Sequence, residues 1–127
     1  MKLHTLYTIT AITLMFFGVG CLLVPEAVFS FYGVILDPAG IMLAHLSGAG
    51  IIALGVLAWK SRKITDPAAL RANATAIFWF FVIKTAVTLL AQSGGVFNAM
   101  GWSIAVLDGL FLLAYANALF LRRSTTA

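Results

Sequence analysis

Charge is what this chain mostly goes without. Of its 127 residues, 8 are Lys or Arg and 4 are Asp or Glu, a charged fraction of 9%, where an ordinary soluble domain carries about 25%. Hydrophobic residues make up 62%, and the mean hydropathy is +1.05. A soluble fold of this size would have to expose much of that apolar surface. A bilayer removes the problem, so the chain reads as a single integral membrane domain.

Other shortages narrow the chemistry. The one cysteine, Cys21, excludes an internal disulfide. The only histidines are His4 and His45, so no His-Cys cluster is available and no metal site is expected. No Gly-rich phosphate loop and no Ser-His-Asp set stands out, so no catalytic residue is nominated and the reading leans against an enzyme. The net charge of +4 has a plainer cause than nucleic acid, because the basic residues gather on one side of the membrane.

What is present is four long apolar runs. Residues 3–24 form the first span, about 22 residues or ~33 Å, enough for the hydrocarbon core. With Lys2 ahead of it and Gly18-Val19-Gly20-Cys21 near its end, this run also has the look of a secretory or lipoprotein signal. A lipobox prefers a larger aliphatic residue where Gly18 stands, so a retained helix is expected. Pro25 opens a short stretch whose Phe29, Phe31 and Tyr32 suit an outer interfacial half-helix, with Gly33 as its stop.

Asp37-Pro38 then offers an N-cap and first-turn proline for a second span, 38–59. It is rich in small residues. Ala44 and Gly48, and Ala49 and Ala53, are four apart, the spacing that lets helix backbones approach. Asp66-Pro67 repeats the cap signal and starts a third span, 67–92, long enough at ~39 Å that its first turns with Arg71 should stand out of the bilayer. A fourth span covers roughly 100–121. The fold class expected is all-α: an integral membrane four-helix bundle with a short outer half-helix after the first span. The segments 22–33 and 89–101 look faintly alike, which would fit two duplicated two-helix halves.

Orientation follows from the basic residues. Lys2, Lys60, Arg62, Lys63, Arg71, Arg122 and Arg123 all fall on one side of this topology, and the segments 25–37 and 93–99 contain none. The positive-inside rule then places both termini in the cytoplasm of a bacterial inner membrane.

Ionisable groups within spans are expensive, and each is a functional-site hypothesis by default. Lys84 and Asp108 each lie ~12 Å below the outer ends of their helices, and His45 ~10 Å below the start of its own. Three spans would thus set their ionisable groups in one layer, with Glu26 at the outer boundary. Lys84, Thr88 and Gln92 follow at i, i+4 and i+8, a polar stripe climbing outward. Tyr115 lies two turns below Asp108. A Lys84–Asp108 ion pair could simply fix helix register, or the cluster could line a cavity that binds a small molecule or relays a proton. No cofactor is expected. His45 could also ligate a haem, alone or across a dimer.

The string GVGCLLVPEAVFSFYGV, followed by DPAG and AHLSGAGIIALGVLAW, resembles uncharacterised small bacterial four-helix inner-membrane proteins, and more loosely the DoxX-like group. The shared features are a Gly-rich first-helix end, a Pro-Glu step, an aromatic-Tyr-Gly half-helix and a small-residue second helix ending in Trp59. DoxX-like proteins are associated with quinone-linked sulfur oxidation complexes, an association that assigns no residue here. Such relatives often carry Arg where His45 stands, so an anion-binding role is not implied there. Small multidrug transporters share the size, but their pattern places a Glu in the middle of the first helix, and residues 5–24 contain none.

Two readings of function follow. The first is a small non-catalytic accessory or scaffold subunit, packing in the lipid bilayer with other membrane subunits or with itself. The second is a binding or transport protein for a small amphipathic ligand, quinone or lipid-like, using His45, Lys84, Asp108, Thr88 and Gln92.

Overall fold

A computed structural model describes residues 2–121; Arg122 and Arg123 lie outside the described residues. The elements are α1 (Leu3–Leu23), α2 (Pro25–Phe31), α3 (Pro38–Ser61), α4 (Pro67–Ser93) and α5 (Gly101–Ala116), which runs on through a π-helical turn, Asn117–Leu121. Among the described residues there is no strand. Four helical stretches are long and apolar enough to cross a membrane: α1, α3, α4 and Gly101–Leu121. The chain is a multi-pass membrane protein built as a four-helix bundle.

Local chemistry explains the element boundaries. Asp37 accepts from the Gly40 N–H at 2.7 Å and Asp66 from the Ala69 N–H at 3.1 Å, each followed by proline at the first helical position. Pro25 likewise opens α2. Gly33 ends it at φ +79, a left-handed backbone that glycine adopts without strain.

The bundle consists of two tight antiparallel pairs. In the first, α1 and α3 meet backbone to backbone across Gly18, Gly48 and Gly55. A Cβ on Gly48 would stand 2.9 Å from the Gly18 carbonyl, and one on Gly18 would stand 3.0 Å from the Gly48 carbonyl. Ala44 and Gly48 are both buried, Gly48 in this contact. Ala49 and Ala53 are exposed and take no part in it. In the second pair, α4 packs on α5 through the stacked rings of Phe81 and Phe111, 4.9 Å apart.

Polar side chains join the pairs at the end that carries Lys2 and the 62–66 turn, called here the basic end. Tyr7 of α1 donates to the Leu70 carbonyl of α4 at 2.6 Å. Thr10 of α1 meets Tyr115 of α5 at 2.7 Å, and Asn73 of α4 donates to Ser61 of α3 at 2.8 Å. Leu6, Ala11, Leu14, Ala58, Ala74, Ile77 and Leu119 pack the core around these bonds. Toward the other, aromatic end the pairs diverge. There the two loops are clasped together: Asn98 N–H donates to the Tyr32 carbonyl at 2.9 Å and Asn98 Nδ2 to the Phe31 carbonyl at 3.2 Å. The halves are thus stitched at both ends and open between.

Candidate functional site

Lys84 and Asp108 stand where the two pairs part. Lys84 Nζ donates to both carboxylate oxygens of Asp108, at 2.7 and 2.6 Å. This is the only ion pair among the described residues. It is possible because α4 and α5 run antiparallel in direct contact, so residues at equal depth come together. Thr88, one turn above Lys84, is buried with its hydroxyl 3.5 Å from Asp108 Oδ2, at the margin of hydrogen bonding.

Two apolar chambers flank the pair. The smaller, about 280 Å3, lies between α1 and α5 and reaches Asp108, Thr13 and Ser103. The larger, about 560 Å3, lies between α3 and α4 and reaches Ser47, Gly50, Cys21 and Thr88. Phe17, Tyr32, Ile51, Lys84 and Ile104 line both, so Lys84 is on the wall that separates them. Both fall in or near the range of about 300–1,000 Å3 usual for small-molecule sites. Phe29 of α2 and Tyr32 and Phe97 of the clasped loops roof the larger chamber. The Phe81–Phe111 stack floors the smaller one and separates Asp108 from Tyr115 below. Partial burial, with Asp108 and Cys21 adding to it, pushes the Tyr32 phenol above its ordinary value, against a hydrogen bond with Ser103 that lowers it. The phenol therefore stays a hydroxyl that can donate.

The electrostatics are specific. The charges of Lys84 and Asp108 cancel, and Nζ lies 5.8 Å from the Phe17 ring centroid, whose face favours the cation. An ammonium has three N–H donors, and two serve Asp108. Lys84 keeps 24% of its side chain exposed, whereas Asp108 keeps 4%. The group presented to the chambers is a single donor on a neutral pair.

Other residues singled out from sequence do not join the pair. His45 is at the right height but is exposed and lines neither chamber. Helix rise sets depth, whereas rotation is set by the Ala44–Gly48–Gly55–Ala58 face pressed on α1; His45 is ~100° around from Ala44 and turns away. Gln92 leaves the stripe by donating Nε2 to the Asn98 carbonyl at 3.2 Å, and so serves the loop clasp. Glu26 is exposed in the first turn of α2, without a capping bond. Sequence reading undervalued Phe17, Tyr32 and Ser103, because an aromatic or serine in an apolar run carries no signal until its neighbours are known.

No family model, curated protein or solved structure matches this chain. The chemistry of the site therefore stands on its own geometry.

Proposed function

We propose that this membrane protein binds or transports a small amphipathic ligand, quinone or lipid-like, whose polar head seats at Lys84. The observation that carries the reading is the position of Lys84 on a wall common to two apolar chambers, with part of its side chain exposed. A neutral pair offering one N–H favours a neutral acceptor, such as a ketone, quinone or ester carbonyl. An anionic head would meet the Asp108 carboxylate beside the ammonium, a like-charge cost in a poorly solvated site.

In a bacterial inner membrane with the basic end cytoplasmic, the site opens in the outer half of the bilayer. The Phe81–Phe111 floor then argues against a continuous polar path from Asp108 to the cytoplasm. A second reading, a non-catalytic accessory subunit, is favoured by the exposed Ala49 and Ala53, which leave a small-residue face free for a partner helix.

The test is thermal unfolding of the purified protein with decyl-ubiquinone, monoolein or oleate as probes. A neutral carbonyl amphiphile should raise the midpoint and oleate should not. Gly50→Leu should abolish the response, because a Cβ at Gly50 meets nothing within 4 Å and the added side chain enters the larger chamber. If neither neutral probe stabilises the wild type, or Gly50→Leu responds in full, the reading fails and the accessory role gains.

A further inference from the structure

We infer that the basic end carries a second, independent site, which takes the phosphodiester of an anionic phospholipid. Its basis is a surface groove of about 350 Å3 between the first turns of α1 and the end of α3, lined by His4, Thr5, Thr8, Ile9 and Arg62. Arg62 is the residue that caps α3, and its guanidinium lies 3.6 Å over the Trp59 ring. Stacking on an interfacial tryptophan holds the guanidinium at headgroup depth.

Among the described residues no ion pair neutralises that charge, and Arg62 Nε is buried without a hydrogen-bond partner. Asp66, close in sequence, is engaged as the cap of α4. His4 donates Nδ1 to the Arg62 carbonyl at 2.5 Å, which ties the two walls of the groove together. The α1 helix begins with no side-chain cap and no acidic residue in its first turn, which holds the groove residues His4 and Thr5, so the positive dipole end there is not offset by an acid. A planar fork in that field suits phosphate oxygens.

The surface beyond the groove says that the phosphate is tethered. Ile9, Ile12 and Phe16, exposed at 41, 60 and 83%, follow one another at helical spacing from the groove toward the aromatic end. An acyl chain lying along them would be held by the same apolar face that meets lipid. Basic pockets at this depth are where acidic lipid heads are recognised. The charge rule is opposite to that at Lys84, where the pair is already neutral.

The test uses the purified full chain in a maltoside detergent, titrated with dioleoyl phosphatidylglycerol, dioleoyl phosphatidylcholine or inorganic phosphate. Thermal midpoint and lipid retention in native mass spectrometry are read together. Phosphatidylglycerol should raise the midpoint by a few degrees in a concentration-dependent way, and phosphatidylcholine and inorganic phosphate should not. Arg62→Gln should lose the difference between the lipids, as should Thr5→Phe, which fills the groove and keeps the charge. Lys63→Gln, an exposed lysine outside the groove, should keep it. Equal stabilisation of the wild type by both lipids, or a full response from Arg62→Gln and Thr5→Phe, would overturn the inference. Inorganic phosphate reproducing the shift would replace the lipid with a free anion and overturn it too.

Discussion

Lys84 and Asp108 form a bidentate contact in which the acid is sealed and the base is not: side-chain exposures are 4% and 24%. That asymmetry makes the two single mutants unequal. Lys84→Met strands a buried carboxylate and should cost about 3–5 kcal/mol, the usual scale for breaking a buried pair. Asp108→Leu leaves an ammonium that still reaches the chambers, and should cost less. The double mutant should recover much of the loss, giving a coupling energy in a detergent unfolding cycle. Additive losses would show that the contact does not hold α4 to α5.

The α1–α3 seam predicts opposite signs for two glycines on one helix. Gly48→Val should destabilise by about 1–3 kcal/mol through overpacking, because its Cβ would sit 2.9 Å from the Gly18 carbonyl and 3.1 Å from Cys21 Cβ. Gly50→Ala should stabilise by up to about 1 kcal/mol, as expected for glycine replaced in an unobstructed helix. Thermal midpoints of the two variants decide the matter.

The loop clasp should govern access to the larger chamber. Asn98 bonds both to the Phe31 carbonyl and to the Met100 N–H through its side chain. Asn98→Ala removes both, leaving the backbone bond to Tyr32. With about 0.5–1.5 kcal/mol at stake per hydrogen bond, opening should become roughly tenfold more frequent. Cys21, buried in the chamber wall, reports it without labels elsewhere, since it is the only cysteine. N-ethylmaleimide should alkylate Cys21 faster in Asn98→Ala, and an unchanged rate would show that the clasp is not the barrier.

At the basic end, Thr10 gives its hydroxyl proton to the Leu6 carbonyl at 2.8 Å, so Tyr115 is the donor in the 2.7 Å bond between them. Both residues are fully buried. Thr10→Val leaves the Tyr115 hydroxyl unpaired and should cost about 1–3 kcal/mol. Adding Tyr115→Phe should cost less than the two single losses together, because both partners are then apolar. A thermal-unfolding cycle measures this joint between the two helix pairs.

The architecture was readable from the sequence, and a Lys84–Asp108 ion pair was one of the two readings it left open. Hydropathy fixes span number through length and desolvation. Asp37-Pro38, Asp66-Pro67 and Pro25 place helix starts, because capping and the missing proline N–H are local properties. Antiparallel neighbours with equal-depth charges have few other ways to satisfy them. Rotation about each helix axis was not readable. Ala44–Gly48 and Ala49–Ala53 have the same spacing, and only the approach of α1 chose the first pair and turned His45 outward. The chambers were equally hidden, because a void arises where two helix pairs diverge, which no one helix encodes. Depth is written along the chain at 1.5 Å per residue, but azimuth and empty space belong to the packing of all four helices at once.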